Sequence, residues 1–243
     1  PVADAPTIFV KNVETYEDAS KYDDKDTGNK AEGQNKIPLG LIVPSLSKDQ
    51  TDKNNATGDA PERNGEITLS FTNSTLVTGA ELYNGNTKVA DITANDQVVK
   101  IVIVKTSGGT DIDTTYHHSG TLPAKGGNVL YLTKSEYESL KIQHAEDNDT
   151  NIQINIGVTS YEVNDNGEPL FKNSSYYDDN NPNLYKNSNA TMTVVIKPVT
   201  DDITLKWDDT KSSEIDKVGK LEGEVLIFNP ITENNSNPKI VDG

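Results

Sequence analysis

A chain of 243 residues with only 33% hydrophobic and 6% aromatic content carries a net charge of −16. That much negative charge is repelled by nucleic-acid phosphates and by anionic membrane surfaces, and no apolar run approaches the roughly 20 residues that span a bilayer as a helix. With no cysteine in the sequence, disulfides and thiolate metal sites are excluded too.

Ordinary domains are about 45–50% apolar counting glycine, so this lean composition fits either a disordered polyanion or a thin β-sandwich. The runs Glu66–Phe71, Val98–Val104 and Asn151–Ile156 decide for the sandwich, because a disordered chain has no reason to keep a period of two. In chain order, alternation and β-branched content predict strands at Thr7–Val13, Ile37–Val43, Glu66–Asn73, Glu81–Tyr83, Lys88–Ile92, Val98–Val104, Asn128–Leu132, Asn151–Val163 and Thr191–Ile196. Asn84-Gly85-Asn86 marks a hairpin turn between two of them. Thr133-Lys134-Ser135-Glu136 has capping-box spacing and predicts one short helix running to about Leu140. The polar stretches 18–36, 44–65, 105–127 and 164–189 read as loops or insertions. Short strands, turn-rich connections and almost no helix predict an all-β, immunoglobulin-like sandwich with long loop insertions.

Pro1-Val2-Ala3-Asp4 returns as Pro198-Val199-Thr200-Asp201, and each copy is followed by a Thr-aliphatic pair, Thr7-Ile8 and Thr204-Leu205. Such self-similarity marks a module boundary in a tandem array. It predicts one module at 1–197, built as one sandwich or as two unequal ones, and the start of a second, partial or split, at 198–243. The second piece is too short for a complete core of its own, and the start at Pro rather than Met fits a slice of a longer protein.

The strand order also places the acids. The last strand of the module leads into the linker holding Asp201 and Asp202. Its predecessor, taken as the antiparallel neighbour, starts at the same end and brings Asp147 and Asp149 there. The first strand crosses the sandwich and delivers Glu17 and Asp18 to that end as well. Ca²⁺ takes six to eight oxygens from carboxylates, amides and carbonyls at about 2.3–2.6 Å, so Glu17, Asp18, Asp147, Asp149, Asp201 and Asp202 form a candidate calcium set. The insertion at 164–189 falls at the opposite end, where Tyr176, Tyr177 and Tyr185 are candidates for gripping a peptide or glycan.

Catalytic signals are poor. His117 and His118 are adjacent in a Ser/Gly/Thr-rich loop, where neighbouring rings rarely converge on one ion, and His144 stands apart. No Gly-x-Ser-x-Gly elbow, His-Glu-x-x-His or phosphate loop occurs. An enzyme is not expected.

Pro1-Val2-Ala3-Asp4-Ala5-Pro6-Thr7 opening a strand, Tyr16-Glu17-Asp18 after it and Ile37-Pro38-Leu39 starting the next resemble the cadherin-like or immunoglobulin-like repeats of giant RTX adhesins. Those are bacterial surface proteins exported by type I secretion. Gly79–Asn86, Leu132–Ile142 and Thr193–Val199 have the same look. The resemblance implies a secreted, cell-surface extender module, stiffened by Ca²⁺ and acting in biofilm or host attachment. Its partners would be neighbouring modules of the same chain, with a cell-surface glycan or peptide if the module lies near a binding tip. Neither nucleic-acid binding nor membrane insertion is implied, and the protein is expected to be a monomer. In cadherin-like modules a Glu after the first strand, an acid before the penultimate strand and linker acids share calcium; Glu17, Asp147, Asp149 and Asp201 occupy the corresponding positions. The linker lacks the Asp-x-Asn-Asp-Asn of the cadherin pattern.

Overall fold

Period-two burial along the strands builds two facing sheets. The computed structural model describes residues 3–17, 36–46, 62–93, 97–113, 123–145, 148–164, 170 and 184–198. The chain divides into two units, Pro1–Val199 and Thr200–Gly243, and the second lies outside the described residues. Within the first, the strands are β1 (Val13–Tyr16), β2 (Ile37–Pro38), β3 (Glu62–Asn64), β4 (Ile67–Phe71), β5 (Glu81–Asn84), β6 (Thr87–Asp91), β7 (Val98–Ile103), β8 (Val129–Leu132), β9 (Leu140–Gln143), β10 (Ile152–Glu162) and β11 (Tyr185–Lys197), with one helix, α1 (Lys134–Glu138), between β8 and β9. The larger sheet runs β1-β11-β10-β4-β7-β8, with β3 also paired to β10, and the smaller one runs β2-β9-β5-β6.

One buried cluster joins the two sheets. Ile67, Leu69, Phe71, Ile101, Ile154 and Val194 come from the larger sheet, and Ile37, Leu82, Leu140 and Ile142 from the smaller. The fold is therefore an all-β sandwich. β10 is its central strand: Ile152, Ile154, Ile156 and Val158 face inward, while Gln153, Asn155 and Thr159 face out. Residues 101–104 break the alternation because both faces of the sheet are covered there. Ile101 and Ile103 enter the main core; Val102 and Val104 pack with Tyr131 in a second, smaller cluster. A continuous apolar run is what a strand buried on both faces requires.

Several expected boundaries shift. The ladder of β1 begins at Val13, where the predicted strand ended; ahead of it Thr7 makes only a bridge to Ser45, and Phe9 and Val10 stay exposed. The apolar content of residues 8–10 suggested a strand that packing does not complete. β3 lies inside the stretch expected to be loop. It continues the line of β4 along β10, and the registers Asn64↔Ser160 and Thr68↔Gly157 leave one extra residue on the β3–β4 side. That is a β-bulge at Gly65-Glu66. β11 starts at Tyr185 rather than Thr191, so 185–189 belong to a strand and not to the insertion. The helix stops at Glu138, capped by Ser139, and Leu140–Gln143 turns into β9 with Leu140 and Ile142 inward.

The capping box itself is present. Glu136 N–H donates to Thr133 Oγ1 at 3.2 Å and Thr133 N–H to Glu136 Oε2 at 2.7 Å. This short helix carries the chain from β8 in one sheet to β9 in the other and buries Tyr137 completely. Thr133→Ala removes one side of the box and is expected to cost about 1 kcal/mol, seen as a drop of about 2–4 °C in melting temperature for a domain of this size. Burial pushes the Glu136 carboxyl up, but hydrogen bonds from Ser107 and Thr133 outweigh it and hold the group below the ordinary carboxylate range. A depressed value makes its contribution complete at neutral pH and lost as acid titrates the folded-state carboxylate. Melting temperature should therefore fall less steeply in Glu136→Gln than in the parent between about pH 5 and pH 3.

Candidate calcium-binding end of the sheet

Three segments remote in sequence meet at one end of the larger sheet. β1 runs parallel to β11, pairing Val13↔Val194 through Tyr16↔Lys197, and β10 runs antiparallel to β11, beginning Ile152↔Val194. The finish of β1, the start of β10 and the finish of β11 therefore share an edge. Backbone and side-chain bonds secure it. Glu17 N–H donates to Lys197 O at 2.9 Å, Ile196 N–H to Asn151 Oδ1 at 2.8 Å, and Thr193 N–H to Asn12 Oδ1 at 2.9 Å. Antiparallel β10–β11 pairing is as the order of the predicted strands implied; the parallel pairing of β1 with β11 is added by the structure.

Of the expected calcium ligands, Glu17 and Asp149 are described; Asp18, Asp147, Asp201 and Asp202 lie outside the described residues. Glu17 sits one residue past β1, half-buried, and Asp149 is exposed just before β10. β11 lies between their strands. With adjacent strands about 4.8 Å apart, the two backbones are separated by roughly 10 Å, and two carboxylates alone fall short of the six to eight oxygens that Ca²⁺ takes. Among the described residues, no group of three or more His, Asp or Glu side chains is close enough together to hold a metal. One positive charge is already placed at this edge. Lys197 Nζ pairs with Glu14 Oε2 at 2.6 Å and lies 5.8 Å from the Tyr16 ring centre. The hydrogen bond to Glu14, and then that carboxylate's charge, hold the ammonium above the usual lysine range.

His144 is occupied by backbone. Its Nδ1 accepts from Ala145 N–H at 2.6 Å, which puts the proton on Nε2, and Nε2 donates to Thr150 O at 2.7 Å. That bond ties the end of β9 to the lead-in of β10. His117, His118, Tyr176 and Tyr177 lie outside the described residues. Tyr185, expected in an insertion, opens β11 opposite Tyr161 of β10.

The opposite end holds a group that sequence reasoning missed. Glu62 and Glu162 are directly opposed across β3 and β10, both on the inner face and at most 2% exposed. Asn64 and Ser160 form the next pair inward, equally buried. Asp4 straps the N-terminal segment onto this end: its N–H donates to Glu62 Oε1, and its carbonyl accepts from Ser160 Oγ. Asn64 Nδ2 donates to Pro44 O at 3.0 Å. The signal was present at Glu162, which falls in phase with Ile152, Ile154, Ile156 and Val158. Comparison with protein-family models, curated proteins and solved structures finds no match to this chain.

Proposed function

We propose that the chain is a calcium-stiffened extender module of a secreted bacterial surface adhesin, serving cell adhesion and biofilm or host attachment without catalysis. The supporting observation is the shared edge at which β1 and β11 finish and β10 starts. In sequence these three points are flanked by Glu17-Asp18, by Glu146-Asp147-Asn148-Asp149 and by Asp201-Asp202. Carboxylates gathered at one edge would repel one another, and a hard divalent cation with oxygen ligands would turn that repulsion into a clamp. A chain with no cysteine gains rigidity this way without a disulfide. Mechanical function then follows from stiffness: the module keeps the segment entering β1 and the segment leaving β11 at opposite ends of the sheet, as a spacer in a tandem array needs. Its partners are neighbouring modules of the same longer chain, and it works as a monomer.

Calorimetric titration with calcium tests the reading. Extracellular calcium modules bind at about 0.1–1 mM, and heat in that range, reduced in Glu17→Gln, is the expected result. Absence of heat up to several times about 1 mM overturns it.

A further inference from the structure

We propose that the outer face of the larger sheet, across β4, β10 and β11, is a binding platform for a neutral oligosaccharide. This inference is independent of calcium at the sheet's end.

The strand registers arrange the outward side chains in rows. Arg63, Tyr161 and Tyr185 form the first row, and Thr159 and Asn187 the second. Thr68, Gly157 and Asn189 form the third, and Ser70, Asn155 and Thr191 the fourth. At about 3.3 Å per residue, Tyr161 to Asn155 spans roughly 20 Å along β10, room for several sugar rings in line. The face is not uniformly flat. A depression of about 280 Å³ opens over the middle rows, its lining including Glu66, Thr68, Gly157, Tyr161, Asn187 and Asn189. Gly157 is the reason. A Cβ there would stand 2.7 Å from Thr68 Oγ1 and 3.0 Å from Asn189 Oδ1, so only a glycine lets these two polar groups lean over bare backbone.

The chemistry of the lining selects the ligand. Hydroxyls and amides dominate. Thr68 Oγ1 donates to Gly157 O at 3.3 Å and Thr159 Oγ1 to Asn187 Oδ1 at 2.5 Å. Among the described residues, the Asn187 Nδ2 and the Asn189 amide make no side-chain hydrogen bond, so donors and an acceptor are available together. A sugar diol offers the same mixture of donor and acceptor that an amide presents. Tyr161 and Tyr185 stand side by side at one end of the depression, Tyr185 being 37% exposed. A tyrosine ring offers a flat apolar face with a polar tip, the shape on which one face of a pyranose stacks. The depression has no lysine or arginine in its lining, which disfavours phosphate, and it lacks the apolar walls that a lipid or hydrophobic peptide needs.

The full chain, fluorescently labelled, is applied to a glycan array and to affinity gels of neutral polysaccharides, each in calcium and in EGTA. The expected result is retention of a neutral glycan that persists in EGTA. Tyr185→Ala and Asn189→Ala should each weaken it about tenfold, the effect of one ring contact or one amide lost, while Thr87→Ala on the other sheet leaves it unchanged. All three variants should melt with the parent, since the altered side chains are exposed. No retained glycan, or retention that ignores both platform substitutions, overturns the proposal. So does binding confined to charged glycans. Any of these failures leaves the calcium titration to stand or fall by itself.

Discussion

Saturating calcium is expected to raise the melting temperature of this chain by about 5–10 °C, and EGTA to remove the gain. The size follows from linkage. A ligand at a hundred times its dissociation constant stabilises the state it binds by about 2.7 kcal/mol, and a domain of this length moves about 2–4 °C per kcal/mol. Screening of the net charge of −16 would also stabilise the fold, so the comparison is made against sodium chloride of matched ionic strength. Magnesium is the second control, because it demands tight octahedral geometry and gives up its water reluctantly. A specific site predicts calcium well above both. Glu17→Ala should take away part of the shift, read against the variant's own metal-free melting temperature; the substitution keeps the backbone N–H that Glu17 donates to Lys197 O. A calcium shift below about 1 °C, less than half a kcal/mol would give, defeats the metal reading.

The sequence carried the core strands well because their burial is one-sided and regular. Ile67, Leu69 and Phe71 alternate with Thr68 and Ser70, and the structure buries the first set and half-exposes the second. The capping box around Thr133 and Glu136 is equally local, a pattern of four residues that needs no tertiary partner to be recognised. Legibility failed where pairing occurs without alternation in polarity. In β11, Tyr185–Thr191 is polar on both faces apart from Ala190, and its burial alternates only between exposed and half-exposed. β3 is three residues, one acid, an arginine and an asparagine, defined by its pairing with β10 and by a bulge, neither of which a propensity records. Conversely, Thr7–Val10 looked like a strand and is held by one bridge, its Phe9 facing solvent.

The candidate sites divide along the same line. Convergence of β1, β10 and β11 on one edge was derivable, because it depends only on strand order and on the preference of consecutive strands for pairing. The outer platform was not. Its residues are ordinary solvated choices one at a time, and only the registers Thr68↔Gly157↔Asn189 and Tyr161↔Tyr185 bring them into rows. The buried Glu62 and Glu162 pair was half visible: one acid in phase with the core, the other hidden by the bulge that sets its phase.

Ile154→Ala should be the most damaging single substitution on β10 and should lower stability by about 2–5 kcal/mol, against a total of about 5–15 kcal/mol for a domain. Ile154 lies at the centre of a row, paired with Phe71 on β4 and Met192 on β11, and all three are at most 1% exposed. The neighbours on both sides are fixed by ladder hydrogen bonds, so the backbone cannot close over the missing atoms and the cavity term is felt nearly in full. Asn155→Ala, one residue on, changes an outward side chain whose one hydrogen bond among the described residues is a long one to Thr191 Oγ1 at 3.4 Å, and should stay within about 0.5 kcal/mol of the parent. Urea unfolding measures both. The midpoint of Ile154→Ala should fall with an unchanged slope, because the surface exposed on unfolding is the same. Equal losses from the two variants would mean that β10 does not present alternate faces to core and solvent, and with that the inner face of the sandwich and the outer platform would both be misplaced.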